Sequence, residues 1–334
     1  MKKIINWGII GTAKISQTAL IPAIKNSKNS LLYALASRSK KKSTIFKKKY
    51  SIPNCYNNYK KLFEDPNVDI IYNPLPNHLH LKSTIEAANH QKHILLEKPI
   101  TLKAYEVDKL IATAKKNKII IKEAFMVRYH PQWIWIKKFI KNKKIGKLQS
   151  ISSVFSFFNN DPKNIRNIKK YGGGSLYDIG CYPILISRFL LDKEPKKVVA
   201  TSKYDKNFKT DILTSAVLDF GGIHSTFSVS TQASLTQKVI IIGTKKSLII
   251  ENPFNTKKEK SSTVVIYNGK STYNKDNLIK KFPPSDQYEK QVTNFSNHVL
   301  KKSKLDYNLD DAKKNMKVID ALFQSLKSNK WINL

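Results

Sequence analysis

Lys98 stands between Glu97 and Pro99, directly after the apolar run His93–Leu96. An open α/β sheet binds its ligand outside the carboxyl ends of its strands, so a lysine there is placed to bond a reacting oxygen. Surface lysines are common in this chain, but this position sets Lys98 apart from them. The Lys98–Pro99 bond is expected to be cis, because a strand must end and turn sharply while projecting the lysine. A second group follows the first apolar run: Gly11-Thr12-Ala13-Lys14-Ile15-Ser16. It is the dinucleotide loop G-x-G-x-x-G with Ala for the second Gly and Ser for the third. Gly11 permits the tight turn, and Ala13 lets the backbone come near a pyrophosphate. The helix that follows offers its N–H groups and positive dipole end to phosphates. The motif is degraded, and an ordinary strand–helix turn would also fit it. Its place after the first strand favours a cofactor loop made of Gly11, Thr12, Ala13, Lys14 and Ile15.

The end of the second strand refines the cofactor. An NAD site wants an acid about 20 residues beyond the loop, to hold the ribose 2′-OH. Here the chain reads Ala36-Ser37-Arg38-Ser39-Lys40, with no carboxylate. Ser37 and Arg38 are suited to a 2′-phosphate, and Arg also stacks on adenine. Arg is otherwise found only at Arg128, Arg166 and Arg188. The expected cofactor is therefore NADP rather than NAD. Asn73-Pro74-Leu75-Pro76-Asn77-His78-Leu79-His80 and Leu96-Glu97-Lys98-Pro99 end two further strands, where a nicotinamide would sit. Leu75, Asn77, His80, Glu97 and Lys98 are accordingly expected to touch it. The pair His78-x-His80 has metal-like spacing, but no Cys or acid nearby completes a ligand set, so no metal is expected.

These groups must be positioned by a parallel sheet. Ile4–Ile10, Leu31–Ala36, Val68–Tyr72, His93–Leu96 and Ile119–Phe125 are apolar runs joined by helical stretches. Continuous apolar strands with helical crossovers imply a Rossmann-type, doubly wound sheet covered on both faces. After about residue 124 the pattern changes. His130–Lys143 has helical spacing, Leu148–Phe158 alternates, and the run Gly172–Gly174 precedes a helical stretch to Leu191. Closely spaced strand-like runs follow up to Tyr267, which indicates a large, mainly antiparallel sheet. The expected architecture is α/β: a Rossmann domain over residues 1–124 and an α/β domain over 125–334.

Composition bounds the rest. The chain has 334 residues, 41% of them hydrophobic. That is enough for two cores and excludes a disordered chain. Two cysteines, Cys55 and Cys181, build neither a disulfide framework nor a CxxC site. No signal-like h-region opens the sequence and the apolar runs are strand-sized, so a cytoplasmic protein without a membrane partner is expected. The net charge of +36 comes almost wholly from lysines spread along the chain. A nucleic-acid surface gathers Arg and aromatics on one element. A solvated basic surface, with Lys-, Asn- and Ile-rich coding bias behind it, is the better reading.

Four segments occur in order: Gly8–Ser16, Glu97-Lys98-Pro99, Glu123–Gln132 and Gly172–Pro183. Together they resemble the glucose–fructose oxidoreductase/inositol dehydrogenase (Gfo/Idh/MocA) family over essentially the whole chain. The family's E-K-P lysine corresponds to Lys98. Its D-x-G-x-H segment corresponds to Asp178–Tyr182, with Tyr in place of His. That change, with Asp161-Pro162-Lys163-Asn164-Ile165-Arg166, is similar to the branch of glucose–fructose oxidoreductase, NADP-dependent D-xylose dehydrogenase and dimeric dihydrodiol dehydrogenase. The resemblance implies a nicotinamide cofactor and a C-terminal open sheet used for homodimer or homotetramer contact.

Chemistry of this kind needs a base for a hydroxyl proton while hydride leaves the same carbon. Tyr182 is the expected acid/base. A phenol near pKa 10 needs a neighbouring cation, which Lys98 supplies. Asp178, at i, i+4 to Tyr182, is expected to orient Lys98 or a substrate hydroxyl. The plain alternatives are a helix-start acid for Asp178 and a packed aromatic for Tyr182. The glycine run ahead of both suggests close approach to a ligand. Asn159, Asn160, Asp161, Asn164 and Arg166 suit a polyhydroxylated substrate, and Arg166 is expected to reach cofactor and substrate. A sugar-like substrate follows. Rival readings are a nucleotide-sugar ketoreductase, a trans-dihydrodiol dehydrogenase, a non-catalytic NADP-binding regulator and, on charge alone, a nucleic-acid binder.

Overall fold

Trp7, Ile9 and Ile10 lie in a run that is apolar on both faces, and all three are completely buried. Such a strand needs cover on both sides. The computed structural model describes residues 4–270 and 277–334. They form two compact units. The first gathers the residues up to Tyr129 with Asp286–Lys313; the second gathers His130–Ser285 with Lys314–Leu334.

The first unit holds six parallel strands: β1 Ile5–Ile10, β2 Ser30–Ala36, β3 Asn54–Tyr56, β4 Ile70–Asn73, β5 His93–Leu96 and β6 Ile121–Glu123. Their order is β3-β2-β1-β4-β5-β6. The chain winds outward from β1 in both directions, so the switch point lies between β1 and β4, where doubly wound sheets bind ligands. Helices α1 Ile21–Asn26, α2 Lys40–Tyr50, α3 Tyr59–Glu64, α4 His80–Asn89 and α5 Ala104–Asn117 make the crossovers. The short β3 lacks any periodic signal and was not expected.

A later segment completes this core. The helix Gln287–Val299 buries Val292 and Phe295 among β1, β2 and α1 residues. Trp7 donates its indole N–H to Ser296 at 3.1 Å and meets Phe295 edge-on. Buried cations hold the loop beyond it. Lys122 pairs with Asp306, which also receives His298, and Arg128 pairs with Asp311 beneath the Tyr307 ring. Burial pushes the Lys122 pKa down to about 8, against the pull of Asp306.

The second unit carries nine strands in the order β14-β13-β12-β11-β7-β10-β9-β8-β15. They are β7 Leu148–Phe158, β8 Lys197–Tyr204, β9 Asp211–Asp219, β10 His224–Ser230, β11 Gln232–Gly243, β12 Ser247–Ile250, β13 Ser262–Tyr267, β14 Leu278–Phe282 and β15 Ile332–Asn333. Every pairing is antiparallel except β7 with β10. The expected α/β class, parallel sheet then mainly antiparallel sheet, is what the chain adopts. Helix α6, Pro131–Lys141, and helix α7, Cys181–Leu191, belong to this unit.

His80 lies between the two turns at the centre of the first sheet. It is fully buried at the start of α4, with Nε2 2.7 Å from Leu75 O and Nδ1 3.0 Å from Pro99 O. Burial pushes its pKa down to about 4, so the ring is neutral at pH 7 with one N–H, which we place on the shorter Leu75 contact. An unfolded histidine titrates near 6.5. Between pH ~6.5 and ~4 the unfolded chain therefore takes up a proton that the folded protein refuses. Stability falls as pH falls through that window, by ~3 kcal/mol from this group, and no further below it. Denaturant unfolding of wild type and His80→Gln at pH 7 and pH 4.5 checks this. The variant should lose less stability than wild type between the two pH values; an equal loss would assign the effect to other groups.

Candidate active site

The first unit supplies a cradle for a dinucleotide. Gly11 closes β1 at φ +78°, a left-handed conformation that favours glycine, and its N–H donates to Ala36 O at 2.8 Å. A Cβ there would press on Leu75 Cδ2 at 3.2 Å. Thr12 and Ala13 are half-buried, and a helical run begins at Lys14 and continues to Asn26. Its first turns include a single π-turn, Ser16–Leu20. The positive end of that run faces the loop, as phosphate binding requires.

At the end of β2, Arg38 is exposed and Ser37 is buried. The Ser37 hydroxyl accepts from Ser39 N–H at 3.2 Å, so its expected phosphate contact is limited to the hydroxyl proton. Ser39 in turn caps α2, whose first turn has no acid and carries Lys40, Lys41 and Lys42. The end of β2 thus presents hydroxyls and cations with no acid in the first turn of α2.

The β4 and β5 turns are built as one polar assembly. Asn73 donates to Ser83 and Thr84 hydroxyls, accepts from Leu75 N–H on its side chain, and accepts from Glu97 N–H on its carbonyl. Tyr72, buried on β4, donates its hydroxyl to Glu97 Oε1 at 2.5 Å, and Lys98 N–H donates to Glu97 Oε2 at 3.2 Å. Glu123 Oε1 accepts from Ile100 N–H at 2.8 Å. The Lys98–Pro99 peptide is cis, as expected. Leu75 is buried, and Asn77, Glu97 and Lys98 are half-buried. His80, expected to line the cofactor, is fully buried beneath these turns.

In the second unit, Asp178 sits in a π-turn, Leu176–Gly180, that runs directly into α7. Such turns recur at functional sites. Arg166 Nε donates to Asp178 Oδ2 at 2.7 Å, so these two expected site residues meet each other. The Tyr182 ring packs edge-on to Phe155 at 5.8 Å and tilted on Phe254 at 5.5 Å, and those two rings stack at 5.0 Å. Sequence reasoning did not single out Phe155, on β7, or Phe254, in the loop after β12; a lone aromatic carries no signal of its own.

Two expectations here take a different form. The glycine run makes room for this chain's own atoms: a Cβ on Gly173 would overlap Arg166 O, and one on Gly174 would overlap the Asp211 carboxylate. The polar loop side chains largely build the loop. Asn159 accepts from Asp161 N–H and Asn167, Asp161 accepts from Lys163 N–H, and Asn164 accepts from Arg166 N–H. Cys181 is buried and bonds Asp178 O, in keeping with a structural part. Among the described residues, no group of three His, Cys, Asp or Glu side chains is placed to hold a metal.

Residues 5–125 match the profile of the oxidoreductase family with NAD-binding Rossmann fold. Residues 133–249 match the GFO/IDH/MocA C-terminal domain. The chain is 37% identical over 329 residues to an uncharacterized oxidoreductase of Rhizobium meliloti, covering 98% of each. It is 29% identical to D-xylose 1-dehydrogenase (NADP(+)) 2 of Haloferax volcanii, over 98% of this chain and 99% of that one. The fold matches a 3-ketoreductase from Actinomadura kijaniata, solved with NADP and TDP-benzene, at a TM-score of 0.90 and 24% identity, over 96% and 98% of the two chains. The chain therefore belongs to the Gfo/Idh/MocA family of NAD(P)-binding oxidoreductases.

Proposed function

We propose that this protein is a cytoplasmic NADP-dependent oxidoreductase that moves hydride between the nicotinamide and the carbinol or carbonyl carbon of a sugar-like substrate, in the manner of an aldose 1-dehydrogenase. The observation that carries the reading is Lys98, held on the turn after β5 by its backbone bond to Glu97. The resemblance of the chain to a D-xylose dehydrogenase along its whole length supports the substrate class. The nicotinamide, when bound, supplies the hydride acceptor at its C4.

The residues of this chain do the rest. Tyr182 accepts the hydroxyl proton and Lys98 bonds the reacting oxygen. Phe155 and Phe254 hold the Tyr182 ring and exclude water from one side of it. Arg166, paired with Asp178, binds substrate hydroxyls. Arg38 holds the 2′-phosphate. A nucleotide-linked sugar is the second reading, favoured by the net charge of +36, which would attract an acidic substrate. The open face of the nine-stranded sheet has a shallow groove of about 400 Å³ lined by Val154, Val199 and Val217 among hydroxyl side chains. We assign it to a homodimer or homotetramer contact.

Three substitutions test the assignment, with absorbance of the reduced cofactor on aldoses as the assay. Arg38→Asp should shift preference towards NAD, read as the ratio of kcat/KM for the two cofactors. An unchanged NADP preference would count against the phosphate site.

Tyr182→Phe keeps the ring and removes only the hydroxyl. It should lower kcat by about 10²–10⁴-fold while leaving NADP binding intact. Lys98→Met should also lower kcat, and the double variant should be little worse than the worse single one, because the groups act as a unit. Near-normal kcat in Tyr182→Phe with loss in Lys98→Met would make Lys98 the proton carrier.

A further inference from the structure

The helical piece that carries Asp178 and Tyr182 begins at Ser175, next to a buried carboxylate that the proposed chemistry does not use. Asp211, at the first position of β9, is 3% exposed. Three donors converge on its Oδ2: Leu176 N–H at 2.7 Å, the Ser175 hydroxyl at 2.8 Å and the Thr214 hydroxyl at 3.1 Å. Ser175 and Thr214 are themselves fully buried. The Thr214 hydroxyl continues to Ser202 on β8 at 2.7 Å, so the assembly runs from the sheet into the helix start. Gly174, at φ +114°, leaves the space that the other carboxylate oxygen fills. Any side chain there would collide with Asp211.

Burying a carboxylate is costly, and a surface acid or a simple Ser cap would satisfy a helix start at less cost. Burial raises the Asp211 carboxyl pKa, and the three donors oppose that shift. Bonds from one strand carboxylate to the Leu176 N–H and the Ser175 hydroxyl restrain where that helical piece starts. A phenol six residues further on moves with it. Placement errors near 1 Å cost up to about a hundredfold in rate.

We propose that Asp211 is a positioning residue for the reaction: through Leu176 and Ser175 it sets the helical piece that aims Tyr182. This rests on the proton role proposed for Tyr182. Asp211→Asn, of the same shape without the charge, should lower kcat about tenfold to a hundredfold and leave NADP affinity unchanged. The deciding comparison is the same substitution in the Tyr182→Phe background. If Asp211 acts through the phenol, the residual rate there does not fall further. An equal fold-loss in both backgrounds would make Asp211 a structural residue only and overturn the proposal, as would an unchanged kcat in the wild-type background. Should Asp211→Asn fail to fold, Ser175→Ala removes one donor and keeps the Leu176 bond; a smaller loss with the same dependence on Tyr182 is expected. Full activity of Tyr182→Phe by itself would instead defeat the proton role, which separates that failure from the failure of Asp211.

Discussion

A carboxylate at the end of a buried parallel strand must have its oxygens bonded, because an unpaired charge there costs several kcal/mol. Glu97 meets that condition with the Tyr72 hydroxyl on one oxygen and the Lys98 N–H on the other. Both partners belong to the sheet or its turn. The bond from the Tyr72 side chain crosses from β4 to β5, and the Glu97 N–H returns to Asn73 O in the opposite sense. Two neighbouring strand ends are thereby locked in register at the place where the fold binds its ligand. Lys98 inherits a fixed backbone from this arrangement. The arrangement fails if any of its buried polar groups loses its partner.

The same constraint recurs in the second unit with different residues. There the fixed point is a carboxylate under a helix start, and Gly174 beside it leaves the space that it fills. The aromatic trio of Tyr182, Phe155 and Phe254 then confines the phenol laterally. Each unit thus immobilises one part of the proposed chemistry by satisfying buried polar atoms. Loops supply little of this rigidity: in 159–167 the side chains of Asn159, Asp161, Asn164 and Asn167 bond within their own loop, and Arg166 reaches out of it to Asp178.

Much of this was legible in the sequence wherever the signal is local. Gly11 after an apolar run and the Glu97-Lys98-Pro99 turn with its cis bond were each readable within a few residues. The strand-then-turn rhythm gave the two sheet types for the same reason. What escaped depends on partners far along the chain. Nothing in 287–299 says that its apolar face packs on β1. Asp211 is 35 residues from the N–H it caps, and Gly174 looks the same whether it admits a ligand or a neighbouring carboxylate. The bonds that Asn159, Asp161 and Asn164 make within their loop were not legible, because composition shows that these groups are polar and does not show which way they face. The three residues Asn54–Tyr56 are too few to show a period.

The central claim is that hydride leaves a sugar carbinol carbon for the nicotinamide. An aldose deuterated at its anomeric carbon, incubated with the protein and NADP⁺, tests this most directly when the reduced cofactor is examined by proton NMR. Deuterium at C4 of the nicotinamide, with loss of the anomeric label from the sugar, is the predicted result. Reduced cofactor without the label, or no reduction with any aldose or nucleotide-linked sugar, would contradict it.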